Sequence, residues 1–287
     1  MITIINAQKD MEGQLKNLWN TCFEHDEEFC EFFFEKRFDP QKALVAVDNS
    51  GRICSALHFF DSFYKDNFGN VKPALYIYGV ATYLEFRKKG CASMLIDELK
   101  ARAAKQNISA LYLTAEESAW NFYERAGFKR NAQLSRTDFT PHKCSEIQWQ
   151  PCEFEKFSKL RREYLDTLNN AFFWNGSELE FMYCDINRDG QVLCAAYNGR
   201  EYYAAIRLRD DELTIIETGF PRESGDILAG SIAAYFGQYD IVSIFGPEDE
   251  FFSGSGVIKK TDFYIGHTLF IDDDIASKSV YMNLLAD

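Results

Sequence analysis

Met11, Leu15, Leu18, Trp19 and Cys22 recur at the spacing of one helical face, with Asp10 placed ahead of them as a cap. Phe29, Phe32, Phe33 and Phe34 predict a second helix after Asp26. Apolar and alternating runs predict strands over 2–6, 43–47, 53–60, 75–82 and 110–114. The turn Asp48-Asn49-Ser50-Gly51 suits a hairpin between the second and third of these. Met94, Leu95, Leu99 and Ala103 predict a helix over 90–106, and a short helix over 118–126 stops at Gly127. From 131 to 150 the pattern weakens, which places a domain boundary there, at 140/141. Beyond it come helices over 153–168 and 177–184, and strands over 192–197, 202–208 and 213–218. A helix near 227–236 and a strand over 240–245 follow. Two helices, a hairpin, a strand, a helix and a strand occur in that order in both halves. The expected class is α/β with a mixed α+β sheet, duplicated over 1–140 and 141–287.

Composition narrows the function. A chain of 287 residues that is 46% hydrophobic can bury a substantial core, and disorder is excluded. Lys+Arg 31 against Asp+Glu 44 gives a net charge of −13, so nucleic acid is not an expected partner through overall charge. The first ten residues lack the basic and long apolar regions of a signal peptide, and no apolar run is long enough for a membrane span. The 8 cysteines form no Cys-x-x-Cys and no Cys/His set with zinc spacing. A cytoplasmic protein with reduced thiols, no membrane partner and no metal is expected.

One local exception to the acidic balance stands out. A strand runs into Arg87-Lys88-Lys89-Gly90-Cys91-Ala92 and from there directly into a helix. Unpaired amides and the dipole at a helix start attract anions, and small residues let a ligand come close to the backbone. Such a site suits a pyrophosphate. Read alone, the loop is better explained as a basic surface turn capping a helix. It is neither the Gly-x-Gly-x-x-Gly of dinucleotide folds nor a P-loop.

With this loop in that place, the chain resembles the GNAT superfamily of acyl-CoA-dependent N-acyltransferases. The family's Arg/Gln-x-x-Gly-x-Gly/Ala loop is matched by Arg87, Gly90 and Ala92. The run from Gly79 through Glu85 to Gly90 is similar to the enhanced-intracellular-survival acetyltransferase branch, with Leu84 where that branch often has proline. Ala119, Tyr123, Gly127 and Phe128 resemble the second family signature, Ala-x-x-x-Tyr-x-x-x-Gly-Phe.

The resemblance implies two GNAT-like domains in tandem. Residues 1–140 would bind acyl-CoA and 141–287 would be a degenerate copy. In the loop of that copy, Arg222-Glu223-Ser224-Gly225-Asp226, two carboxylates would repel a pyrophosphate. Acetyl-CoA is the implied cosubstrate, with no metal. Val80, Ala81 and Thr82 would pair with the pantetheine arm, and Arg87, Lys88, Lys89, Gly90, Cys91 and Ala92 would hold the diphosphate. Tyr123 would protonate the departing thiolate; the alternative is a core tyrosine with a satisfied hydroxyl. No carboxylate lies in 75–82 to act as base, which leaves water on Tyr76 or Tyr78, Glu116 or the terminal Asp287 as candidates.

Glu24 and Asp26, beside Trp19 and Phe32–Phe34, would attract a cationic amine, unless they only form a solvated helix start. The implied activity is acetyl transfer to a primary amine of a small molecule or peptide. A catalytically silent acyl-CoA sensor is the alternative, and a structural partner subunit a third reading. The sequence leaves a homo-oligomer open.

Overall fold

The computed structural model describes residues 1–23, 27–142, 147–209, 212–237, 239–271 and 279–282. Chain contacts group it into two units. Unit 1 holds Met1–Phe63, Lys72–Arg130 and the chain from His267; unit 2 holds Tyr64–Val71, Asn131–Gly266 and the chain from Ser277. This grouping is less simple than one cut at 140/141. The chain crosses over at Asn131, and a late strand returns to unit 1.

Unit 1 runs β1 (Thr3–Asn6), α1 (Glu12–Cys22), α2 (Glu27–Lys36), β2 (Ala43–Val47), β3 (Ile53–Lys65) and β4 (Val71–Thr82). It continues with α3 (Cys91–Lys105), β5 (Ala110–Thr114) and α4 (Trp120–Arg125). Asp10 does not cap α1. It sits in a 3-10 turn, Lys9–Met11, and Met11 takes the cap position with no side-chain bond. At the β2–β3 hairpin, Asp48 Oδ1 accepts from the amides of Ser50 and Arg52 while Gly51 adopts φ +82°. β1, β2 and β3 pair antiparallel, β4 and β5 parallel. On the far side of β5 lies the end of a strand from late in the chain, tied by Ile271 N to Ser109 O at 2.9 Å. The core joins Leu44, Leu57, Leu75 and Leu111 of the sheet to Leu95, Ile96 and Leu99 of α3.

Unit 2 runs β6 (Lys129–Phe139), β7 (Gln150–Pro151), α5 (Phe154–Leu165), β8 (Ala171–Phe173), α6 (Gly176–Asp189) and β9 (Gly190–Tyr197). Then come β10 (Arg200–Arg209), β11 (Glu212–Thr218), α7 (Gly225–Phe236), β12 (Val242–Pro247) and β13 (Val257–Phe270). Its strand order β7-β9-β10-β11-β12-β6 reproduces the order β1-β2-β3-β4-β5 of unit 1, which the end of β13, from His267, completes. The parallel pair stands in the same place in each, β4/β5 and β11/β12, bridged by α3 and α7. The class is mixed-sheet α/β, and the repeated order seen in the sequence is a repeated topology. Among the described residues no helix is long and apolar enough to cross a membrane.

Candidate active site

β4 and β5 pair at three positions only, Ala74↔Ala110, Leu75↔Leu111 and Tyr76↔Tyr112. Beyond them β4 continues to Thr82 and the two strands part. The cause is local. Gly79 sits at φ +57°, and a Cβ there would lie 2.6 Å from Trp19 Cζ3, so the strand bends at the one residue type that fits. Past the bend, Ala81 O accepts from Ser55 Oγ at 2.7 Å and Tyr83 N donates to Cys54 O, both toward β3. Alternation along the strand therefore turns the backbone of Val80 and Thr82 away from β3. Thr82 O accepts from Arg87 Nε at 3.1 Å and Cys22 Sγ at 3.4 Å.

The basic loop follows. Lys88 and Gly90 adopt φ +62° and +82°, which folds the chain sharply into α3. Gly90 occupies the cap position, makes no side-chain cap bond and has open space where a Cβ would stand. The first amide in this stretch with an acceptor is Met94 N, bonded to Gly90 O at 2.9 Å. Among the described residues the amides of Lys88, Lys89, Gly90, Cys91, Ala92 and Ser93 find none. Exposed unpaired donors at the start of a 15-residue helix carry about half a positive charge, and Lys88 and Lys89 add to it. Arg87 spends its Nε on Thr82 and thereby shapes the loop. Cys91 is buried among Leu95 and Leu99 and serves as core filler.

Tyr123, on α4, lies 7% exposed in the cluster that also holds Ile77 and Val80 of β4 and Leu113 of β5, where the strands part. Its hydroxyl makes no hydrogen bond among the described residues. Burial pushes its pKa well above the usual phenol range, so it stays protonated. His267, which the sequence reading did not single out, lies 6.1 Å from Tyr123 ring to ring, and both its ring nitrogens are buried with no partner among the described residues. Burial lowers its pKa and keeps it neutral. Only its place on a strand far downstream in the sequence brings it under α4, so no local signal marks it.

Glu24 and Asp26 lie outside the described residues. The aromatic residues that the sequence sets beside them are described. Trp19 stands 4.9 Å from Phe33, 5.0 Å from Phe23 and 5.8 Å from His58, ring to ring. His58 is buried in this box, and desolvation, aided by Arg37, brings its pKa down to about 3. An unfolded histidine takes up its proton near pH 6.5. The stability that neutral His58 confers is thus complete above that pH and is lost as pH falls toward 3. His58→Phe, which keeps the ring packing, is expected to flatten the decline of Tm over this window in calorimetric scans. An unchanged decline would show that His58 does not govern it.

The equivalent place in unit 2 is closed. Asp226 turns its own carboxylate onto the amides of Ser255 and Gly256 at 2.5 and 2.9 Å. A Cβ on Gly225 would lie 2.5 Å from Phe139 Cζ, and Arg222 points inward to Tyr164 Oη at 3.0 Å. Among the described residues no group of three or more His, Cys, Asp or Glu is placed to hold a metal ion.

Residues 3–130 match the family model of the acetyltransferase (GNAT) domain. Over these residues the chain is similar to the GNAT domain. The parted parallel strands, the open loop and Tyr123 all lie within this stretch. Solved structures share the fold along nearly the whole chain. A probable N-acyltransferase from Enterococcus faecalis aligns with TM-score 0.74 and 16% identity over 94% of this chain and 72% of its own. A GCN5-related N-acetyltransferase from Anabaena variabilis gives 0.76 and 13% over 95% and 73%. Eis1 from Mycobacterium abscessus gives 0.67 and 11% over 95% and 74%. These neighbours extend the likeness beyond the GNAT domain into unit 2 at the level of fold. No curated protein sequence matches the chain.

Proposed function

We propose that the protein transfers an acetyl group from acetyl-CoA to a primary amine of a small molecule or peptide, and that unit 1 carries the chemistry. The observation that supports this most is the row of six amides from Lys88 to Ser93 with no partner among the described residues, at the end of a strand that has parted from its neighbour. Those amides take the diphosphate. The backbone of Val80 and Thr82, turned away from β3, pairs with the amides of the pantetheine arm. A backbone N–H of β4 then faces the thioester oxygen and stabilises the oxyanion that develops as the amine attacks the carbonyl. When the intermediate collapses, the carbon–sulfur bond breaks and Tyr123 gives its proton to the thiolate, while the proton that the attacking nitrogen sheds passes through water back to the phenolate. The closed loop of unit 2 supports a non-binding role for that half.

Calorimetry with acetyl-CoA, followed by thiol release across a panel of amines, tests the reading. Binding with release is expected; binding without release would favour a sensor, and no binding would end the proposal. Gly90→Val is expected to weaken acetyl-CoA binding by about 10–100-fold, because a branched side chain is strained at φ +82° and would stand in the anion's path. Equal affinity in the variant would place the diphosphate elsewhere.

A further inference from the structure

Unit 2 contains a cavity of about 330 Å³, whose walls include Lys65, Arg161, Arg162, Trp174, Asn175 and Leu179. Every one of these residues belongs to unit 2, and acyl transfer in unit 1 gives the cavity no task. Its polar side is unbalanced. Arg161, 1% exposed, commits Nε and Nη2 to the two oxygens of Glu217 at 2.7 and 3.4 Å. Glu217 also accepts from the hydroxyls of Tyr203 and Tyr281, at 2.8 and 3.1 Å. Nη1, on the edge of the guanidinium away from Glu217, is buried with no acceptor among the described residues. A buried cationic N–H without a partner is costly, and native interiors rarely leave one.

Two further groups in the lining are uncommitted among the described residues. Arg162 is exposed and forms no ion pair among the described residues. Asn175 stands at the cap of the 14-residue α6, yet its side chain caps nothing, so the first-turn amides keep their pull on an anion. Lys65 is spent on the carbonyls of Leu165 and Asp166, at 3.2 and 2.9 Å. The remaining wall is apolar: Leu165, Trp174, Leu179 and Phe173.

We propose that this cavity binds a small organic carboxylate. The carboxylate lies against Arg161, Arg162 and Asn175, and its apolar body lies on Trp174 and Leu179. The apolar wall disfavours a bare phosphate dianion.

Calorimetry and thermal melts of the full chain with benzoate, hexanoate, benzamide and inorganic phosphate test it. Benzoate or hexanoate is expected to bind and to raise Tm by a few degrees. Benzamide, which lacks the charge, should bind at least about tenfold more weakly, and Arg162→Gln should cost the carboxylate about tenfold. Ser158→Phe, which places a ring in the cavity from α5, should abolish binding. If that variant fails to fold, the exposed Arg162→Gln carries the test alone. No carboxylate binding at millimolar concentration would overturn the proposal. So would benzamide or phosphate binding as tightly, or affinity unchanged in Arg162→Gln.

Discussion

Tyr123→Phe is expected to lower turnover by about 10²–10⁴-fold while leaving acetyl-CoA affinity within a factor of about two. The substitution removes one oxygen that has no protein partner among the described residues, so the ring and its packing against Phe128 remain. Binding energy from the loop and from β4 is untouched, and only proton delivery to the thiolate is lost. Because burial raises the pKa, the phenol is fully protonated at any working pH. The wild-type pH–rate profile should therefore show no limb from Tyr123 below pH ~10. The same shift has a stability consequence. The folded protein holds this proton more firmly than the unfolded chain, so its contribution is complete below pH ~10 and is lost as pH rises further. Steady-state kinetics with titration calorimetry separates the cases: unchanged kcat would remove Tyr123 from the reaction.

Glu217→Ala is expected to destabilise unit 2 by about 3–5 kcal/mol, the usual cost of stranding a buried charge. Arg161 and Glu217 are 1% and 0% exposed, and two tyrosine hydroxyls also depend on the carboxylate. Removing it leaves a guanidinium in an apolar setting with none of its acceptors. Tm should fall by on the order of 10 °C. Arg161→Met combined with Glu217→Leu should restore most of the loss, since an apolar pair carries no desolvation cost. A single variant that melts like the wild type would refute the burial of this pair.

The first half of the fold was legible because its signals are local. Strands over 43–47 and 110–114 are found where alternation puts them, and the helix predicted over 90–106 is α3 to within a residue at each end. The loop and Tyr123 were legible for the same reason: each is a short motif on a strand–turn–helix frame. What escaped depends on partners distant in sequence. β6 and β13 read weakly, because they alternate with many polar residues and gain their place only by pairing. The parting of β4 and β5 needed the Trp19 ring at Gly79, which spacing along one strand cannot show. The Arg161–Glu217 pair was invisible because a charged residue on a helix normally faces water. Asp10 illustrates the converse, a sound capping residue displaced by a 3-10 turn one step later.

The return of residues 267–271 to the edge of β5 bears on how the protein is made. At translation speeds of about 5–20 residues per second, the ribosome needs on the order of ten seconds after releasing α4 before that last strand emerges. Throughout this interval the nascent first unit presents the open side of β5, an apolar edge able to recruit strands from neighbouring chains. Nascent chains halted before His267 should therefore associate with chaperones and precipitate, whereas the same chains extended past Ile271 should be released.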